Sequence, residues 1–176
     1  MSAEMAQLDR RAAVLTVSDR VTRGEVEDSS GPALAARLEE AGWKVIDRAA
    51  VADDDEAIAA ALSRFADEGV ALVLTTGGTG IAPRDVTPDA TRRVIDREVT
   101  GIAEALRAAS LAQTPHAMLS RATAGVRGAT LIVNLPGSPK AVAETFSVLA
   151  PVLDHAARLL RGEPVSATEH QARDRS

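Results

Sequence analysis

The feature that most constrains the fold is the alternation of short runs of strand-forming residues with longer segments of helical spacing. Four runs predict strands, at residues 12–17, 44–51, 70–74 and 130–134, and three of them are almost entirely apolar. Such runs are typical of strands that are buried on both faces of a sheet. Apolar residues at helical spacing predict helices over residues 31–41, 58–65, 102–112 and 142–160, and Thr87-Pro88-Asp89 predicts the start of a short helix over 87–96. This order indicates βαβ units and a mostly parallel sheet with helices on both faces, an α/β fold.

Local signals predict where some of these helices begin and end. We expect Ser29 or Ser30 to cap the helix that follows them, and Thr87 to cap the helix over residues 87–96. Pro151 marks a possible break in the last helix, since proline removes a helical hydrogen bond. Residues 118–126 are ambiguous and have room for a short strand.

Composition excludes several classes of function. The 176 residues include no cysteine, so a thiol nucleophile, a disulfide framework and a thiolate metal site are excluded. With 20 basic and 25 acidic residues the formal charge is 20 − 25 = −5, and only three residues are aromatic, so we expect no nucleic-acid partner. No apolar run is long enough for a membrane span, and no signal peptide is visible, so we expect a cytoplasmic protein. The length predicts one domain over residues 1–176, with a polar tail over 163–176.

Polar residues follow each predicted strand, at the edge of the sheet where α/β folds bind ligands. They are Ser18 and Asp19 after the first strand, Asp53 and Asp54 after the second, the loop from Thr75 to Asp85 after the third, and Asn134, Pro136 and Gly137 at the fourth. We therefore expect these residues to meet at one edge.

The loop over residues 75–80, Thr-Thr-Gly-Gly-Thr-Gly, is the sharpest local signal. Its glycines let backbone N–H groups approach an anion, which favours phosphate binding, although the loop is neither a P-loop nor a dinucleotide fingerprint. The alternative is a tight turn between a strand and a helix. Asp53 and Asp85 are the candidate catalytic carboxylates, because a carboxylate beside a phosphate loop is the usual anchor for Mg²⁺. Otherwise Asp85 is an ordinary loop acid and Asp53 one of four acids that begin a helix.

A longer series of motifs carries a resemblance to a known family. It consists of Val17-Ser18-Asp19, Ser30-Gly31-Pro32, Asp53-Asp54, Thr76-Gly77-Gly78-Thr79-Gly80, Pro83-Arg84-Asp85-Val86-Thr87-Pro88, Ala117-Met118-Leu119-Ser120-Arg121 and Asn134-Leu135-Pro136-Gly137-Ser138-Pro139. In this order the motifs resemble the MogA/MoaB family of molybdenum cofactor biosynthesis, which includes the gephyrin G domain. The match covers a core over about residues 11–161.

The resemblance implies a three-layer α/β sandwich and a molybdopterin adenylyltransferase, which moves AMP from Mg-ATP to the terminal phosphate of molybdopterin and releases pyrophosphate. It implies Mg²⁺ as cofactor, a homotrimer or hexamer, and a molybdate-insertion enzyme of the same pathway as partner. Carried over by position, Asp85 and Asp53 are the catalytic, metal-binding carboxylates. The nucleotide site is lined by Gly77, Gly78, Thr79 and Gly80. Seven more residues match positions near the pterin or the nucleotide: Ser18, Asp19, Ser110, Ser120, Asn134, Pro136 and Gly137.

Three alternatives stay open at this point. The run of acids after the second strand leaves the second carboxylate as Asp53 or Asp54, and Ala52 and Thr100 stand where family members often have proline. The chain is alternatively a non-catalytic molybdopterin-binding paralogue. It is otherwise a nucleotide-processing enzyme on a related fold, such as the domain shared with competence-damage proteins.

Overall fold

A computed structural model describes residues 9–163 and contains one six-stranded sheet with helices on both faces. The strands are β1 (Arg11–Val17), β2 (Lys44–Val51), β3 (Leu72–Thr76), β4 (Arg97–Glu98), β5 (Ala124–Arg127) and β6 (Thr130–Leu135). Their order across the sheet is β2-β1-β3-β6-β5-β4. The first four strands of this order are mutually parallel, whereas β5 and β4 are antiparallel to their neighbours. The prediction of a mostly parallel sheet is confirmed, and β5 overlaps the end of the ambiguous segment and extends one residue beyond it.

The helices are α1 (Asp19–Thr22), α2 (Ser30–Glu40), α3 (Asp55–Asp67), α4 (Thr87–Val94), α5 (Thr100–Leu111) and α6 (Pro139–Leu160). A 3₁₀ helix, Pro115–Leu119, follows α5. Within residues 9–163 no helix combines the length and the apolar character that a membrane crossing requires. The predicted polar tail lies outside the described residues, apart from Glu163.

Two hydrophobic cores lie on opposite faces of the sheet. One packs α2, α5 and α6 against one face, and the other packs α3 and α4 against the other face. Adjacent strand residues alternate between them: Val14 and Leu74 join the first core, whereas Leu15 and Val73 join the second. Side chains on a strand point to opposite faces in turn, so strands that are apolar throughout need cover on both sides. The result is the three-layer α/β sandwich that the resemblance implies.

The structure corrects the predicted cap of α4, and it confirms the cap position of α2 but without a hydroxyl bond. Thr87 is the first residue of α4 and not its cap, because its hydroxyl donates to the carbonyl of Gly77 at 3.0 Å instead of binding its own helix. At α2, Ser29 takes the cap position without a side-chain bond. The backbone N–H of Gly31 is bound by the carboxylate of Asp28, at 2.9 Å. At α2 a neighbouring carboxylate thus takes the place of the expected hydroxyl cap, and at α4 the Thr87 hydroxyl bonds outside its own helix.

The possible break at Pro151 is also wrong, since α6 runs unbroken through it. Proline has no N–H to donate to the carbonyl of Ser147, four residues earlier. Pro151 and Ser147 are both exposed. Water can therefore satisfy the carbonyl that loses its helical partner. Leu149 and Leu153 are buried on either side of the proline, and their packing holds both halves of the helix on the sheet.

The register of the parallel strands brings their carboxyl ends to one edge. Val17 at the end of β1 pairs with Val51 at the end of β2. Thr76 at the end of β3 pairs with Thr16 on one side and with Leu135 on the other. The loops that carry the predicted site residues therefore leave the sheet side by side.

Candidate active site

The glycine-rich loop leaves β3 in a backbone conformation that only glycine adopts readily. Gly77 and Gly78 have φ angles of 100° and 64°. The backbone N–H of Gly77 donates to the carbonyl of Leu135 at 3.2 Å, and Thr76 Oγ1 donates to the carbonyl of Pro136 at 2.8 Å. A methyl group on Gly77 would overlap the carbonyl of Val17. Close packing against neighbouring strand ends thus sets the path of the loop.

Three successive backbone N–H groups of this loop make no hydrogen bond within the part of the chain that the structure describes. They belong to Gly78, Thr79 and Gly80. The loop is held in place by its carbonyls instead, which accept from the N–H groups of Thr87 at 3.1 Å and Arg121 at 2.8 Å. Consecutive free N–H donors with fixed carbonyls form a concavity that suits an anion.

The two predicted catalytic carboxylates lie against the two ends of this concavity. A methyl group on Gly78 would lie 3.2 Å from Asp53 Oδ1, and one on Gly80 would lie 2.8 Å from Asp85 Oδ2. Gly78 and Gly80 are two residues apart, so their Cα atoms are at most about 7 Å from each other. The structure therefore brings Asp53, Asp85 and the glycine loop together.

Each of these carboxylates uses one oxygen for the fold. Asp53 Oδ2 accepts from the N–H of Asp19 at 2.8 Å, and Asp85 Oδ2 accepts from the N–H of Ala82 at 2.9 Å. The other oxygen of each has no hydrogen-bond partner among residues 9–163. Asp54 has a different position: it is exposed and caps α3, where its carboxylate accepts from the N–H of Ala57 at 2.9 Å. Only Asp53 of this pair faces the loop.

These residues fit Mg²⁺ that arrives with a polyphosphate. No group of three or more His, Asp or Glu side chains within residues 9–163 is placed to enclose a metal. Mg²⁺ does not need such a cage, because it commonly binds to one or two carboxylates and takes its remaining ligands from water and substrate phosphates. The carboxylates of Asp53 and Asp85 lie beside an anion-binding loop, and the one free oxygen of each provides a donor set of that kind.

The carboxylate of Asp19 is occupied by protein partners. Arg84 Nε and Nη2 donate to its two oxygens at 2.7 and 2.8 Å, and Arg23 Nη2 lies 3.2 Å from Oδ2. The Arg84 guanidinium holds the pKa of the Asp19 carboxyl below its usual range. The same pair raises the pKa of Arg84.

A cavity of about 300 Å³ opens beside the glycine loop. It contains six of the predicted site residues: Thr79, Gly80, Ser110, Ser120, Asn134 and Pro136. Its floor is apolar, with Ala103, Leu106 and Ala117. An apolar pocket with a few hydroxyl groups and an anion-binding rim is suited to a flat organic molecule that carries a phosphate.

The remaining predicted residues lie elsewhere or are engaged in the fold. Ser18, Gly77 and Gly137 line a second cleft of about 200 Å³, and the Ser18 hydroxyl caps α1. Asn134 borders the large cavity, but its buried amide binds Thr75, Thr91 and the N–H of Thr123 at 2.9 to 3.2 Å.

The sequence analysis did not assign three polar residues that border the large cavity, Arg107, His116 and Glu144. Arg107 donates to the carbonyl of Ser120 at 2.9 Å. A signal for it existed, because Arg107 stands three residues before the predicted Ser110 and so shares a face of α5 with it. His116 and Glu144 carried no such signal. Glu144 forms an ion pair with Lys140, whose Nζ lies 3.9 Å from its carboxylate.

A family model described as "Probable molybdopterin binding domain" matches residues 13–155. The molybdopterin adenylyltransferase of Helicobacter pylori strain J99 is 39% identical over 159 residues, which are 89% of this chain and 90% of that protein. Gephyrin of Dictyostelium discoideum is 39% identical over 173 residues, and there the match spans 92% of this chain but only 24% of the relative. The crystal structure of the molybdopterin biosynthesis enzyme MoaB from Thermus thermophilus is 48% identical. It aligns with a TM-score of 0.82 over 89% of this chain and 99% of its own.

Proposed function

The chain belongs to the MogA/MoaB family of molybdopterin-binding domains, and from this premise we propose that it is a molybdopterin adenylyltransferase of molybdenum cofactor biosynthesis. The substrates are molybdopterin and ATP, and the products are adenylylated molybdopterin and pyrophosphate. The single observation that carries the proposal is the row of three free N–H groups at Gly78, Thr79 and Gly80, with Asp53 and Asp85 at its two ends.

The reaction joins two anions, so the site must bind negative charge without supplying a nucleophile. An oxygen of the terminal phosphate of molybdopterin forms a bond to the α-phosphorus of ATP. The bond from that phosphorus to its bridging oxygen breaks, and pyrophosphate leaves with the electron pair. Because the nucleophile is already anionic, the absence of cysteine and the lack of an activated serine are no obstacle.

The residues divide the work between the two substrates. The N–H groups of Gly78, Thr79 and Gly80 bind phosphate oxygens of the nucleotide, and backbone dipoles fixed in advance are the usual way to stabilise charge in a transition state. Asp53 and Asp85 hold Mg²⁺, which neutralises phosphate charge and aligns the reacting groups when it is bound.

The cavity beside the loop receives molybdopterin, and the other predicted residues lie around the two substrates. Ala103 and Leu106 contact the apolar face of the pterin, and Ser110 and Ser120 supply hydroxyl groups. We assign Ser18, Asp19, Gly77, Asn134, Pro136 and Gly137 to the border of the combined site, as the family motifs imply.

The setting of the reaction is proposed with it. We propose that the chain forms one domain, is cytoplasmic, and assembles as a trimer or hexamer. We also propose that it passes its product to a molybdate-insertion enzyme. An apolar groove between α5 and α6 supports the assembly, because Val152 and Leu159 expose apolar surface beside it.

The test is a pyrophosphate-release assay with molybdopterin, ATP and Mg²⁺, in which each is left out in turn. We expect release only when all three are present, together with an adenylylated product by mass spectrometry. Binding of molybdopterin without any release would instead identify a non-catalytic carrier. Release that does not depend on molybdopterin would identify a nucleotide-processing enzyme.

A further inference from the structure

We propose that Asp19 is a positioning residue, which fixes the separation of the two catalytic carboxylates by hydrogen bonds to both of their loops. The inference rests on the proposed function, because it concerns how that same site is held together. Asp53 follows β2 and Asp85 follows β3, and β1 lies between these two strands in the sheet. Asp19 follows β1 and so stands between the two loops.

The first half of the link is a reciprocal pair of hydrogen bonds between Asp19 and Asp53. The N–H of Asp19 donates to Asp53 Oδ2 at 2.8 Å, and the N–H of Asp53 donates to Asp19 Oδ1 at 3.1 Å. One bond orients the Asp53 carboxylate directly, and the other holds its backbone. Two bonds in opposite directions define the position of Asp53 relative to β1.

The second half reaches the Asp85 loop through Arg84. The guanidinium of Arg84 forks onto both oxygens of Asp19, at 2.7 and 2.8 Å. Asp85 follows directly in a tight turn, in which it donates its N–H to the carbonyl of Ala82 and accepts the N–H of Ala82 with its side chain, both at 2.9 Å. The bidentate Arg84 pair therefore restrains a turn of four residues that ends at the catalytic carboxylate.

The burial of the partners favours this role over direct contact with a ligand. The Asp19 side chain is 15% exposed, whereas that of Arg84 is 62% exposed and covers it from the solvent side. Both Asp19 oxygens are already bonded to protein donors, in contrast to the free oxygens of Asp53 and Asp85. A substrate or a cation would have to displace Arg84 to reach Asp19.

The kinetic test replaces Asp19 by alanine and by asparagine and measures AMP transfer. A misplacement of about 1 Å at a reacting centre can cost about a hundredfold in rate. We expect kcat to fall by about tenfold to a hundredfold in Asp19→Ala, and by less in Asp19→Asn, which keeps one acceptor for Asp53. The KM values for ATP and molybdopterin should change by less than about threefold. A rise in the KM for ATP at unchanged kcat would overturn the proposal, since it would make Asp19 a nucleotide ligand.

A double-mutant cycle with Arg84 tests whether the two residues act as one unit. Arg84→Ala should lower kcat to the same extent as Asp19→Ala, and the double variant should be no worse than either. Losses that multiply would contradict the proposal. Asp47→Asn is the matched control, because it also removes a carboxylate bonded to an arginine, Arg64 at 2.8 Å, but within β2 and four residues before the end of that strand at the site. We expect Asp47→Asn to keep wild-type kcat.

Amide hydrogen exchange separates failure of this proposal from failure of the proposed function, because it needs no turnover. In Asp19→Ala the N–H of Asp53 loses its acceptor directly, so faster exchange there only verifies the substitution. The informative amide is that of Ala82, which touches Asp19 only through Arg84 and Asp85. We expect it to exchange several times faster in Asp19→Ala and to be unchanged in Asp47→Asn. Unchanged exchange at Ala82 would overturn the positioning role, whether or not the wild type releases pyrophosphate.

Discussion

At the scale of single residues, the glycine loop shows how backbone conformation and side-chain space combine. Gly78 has a positive φ, and a methyl group there would also overlap Thr87 Oγ1 and approach Asp53. Gly24 has a similar φ of 70°, but no atom lies within 4 Å of an added methyl group. The two positions therefore separate the cost of conformation from the cost of crowding.

We predict that Gly24→Ala lowers the free energy of unfolding by about 1 kcal/mol, the cost of a left-handed conformation for alanine. Gly78→Ala should lower it by more, because Thr87 or the loop must also move. It should also abolish AMP transfer, whereas Gly24→Ala keeps it. Denaturant unfolding and pyrophosphate release measure the two effects. Equal destabilisation by both substitutions would show that steric overlap at Gly78 adds nothing to the cost of its conformation, and would contradict the prediction.

The paired acids give a second prediction at this scale. Asp85→Asn should abolish AMP transfer at an unchanged melting temperature, because only one carboxylate oxygen serves the fold. Asp53→Asn should reduce turnover more than it reduces molybdopterin binding. Asp54→Ala is the control: it removes the cap of α3 and should cost about 1 kcal/mol of stability while turnover is retained. If Asp54→Ala abolishes turnover and Asp53→Asn does not, the second carboxylate is Asp54.

Prediction from sequence at this scale was limited by distance along the chain. Asp53, Asp85 and the glycine loop were found because each follows a predicted strand, and strand ends converge. The link from Asp19 to Arg84 joins residues 65 positions apart, and no spacing rule connects them. The protein partners of Asn134 are likewise 11 to 59 positions away: Thr75 lies opposite it in the strand register, and Thr91 is brought to it by the packing of α4 on the sheet.

At the scale of secondary structure, the longer helices and strands were predicted from the sequence and the shortest ones were not. The four parallel strands and most of the longer helices were located because each holds several apolar residues at a regular spacing, whereas α4 was located from Thr87 and Pro88 at its start. The four-residue helix α1 and the two-residue strand β4 are too short for such a spacing to repeat. Their existence depends on contacts such as the Ser18 cap and the pairing of Arg97 with Val126.

The predicted hydroxyl caps of helices were wrong for a related reason. A hydroxyl before a helix predicts a cap only if nothing else competes for it. Thr87 instead bonds to Gly77, which ties α4 to the loop that carries the free N–H groups. The Thr87 hydroxyl that does not cap α4 therefore fixes the start of α4 to the glycine loop of the site.

At the scale of the whole molecule, ion pairs join the two ends of the described chain. Asp9 binds Arg11 at 2.9 Å and also binds Arg161, just after α6. Arg10 binds Asp154 of α6 at 2.6 Å. The start of β1 is thus fastened to the end of the last helix, and Asp9 lies at the centre of the contact.

This contact predicts a pH dependence of stability. The hydrogen bond from Arg11 holds the pKa of the Asp9 carboxyl below its usual range, so the folded state binds its proton less tightly than the unfolded state. The stabilisation is complete above the unfolded pKa of about 4 and is lost as the pH falls below it. We expect Asp9→Asn to lower the free energy of unfolding by about 1 kcal/mol at pH 7, as for a small ion-pair network. Below about pH 3 the difference from the wild type should vanish in urea unfolding, and a difference that persists there would assign the effect to packing.

The contact between Asp9 and Arg161 also bears on how such a domain can be carried by other polypeptides. Because these residues touch, a chain can enter and leave the fold at one place on its surface, and a host protein could accept it as an inserted cassette without being stretched. Insertion of a domain into a host protein requires that the first and last residues of its fold lie close together, as Asp9 and Arg161 do.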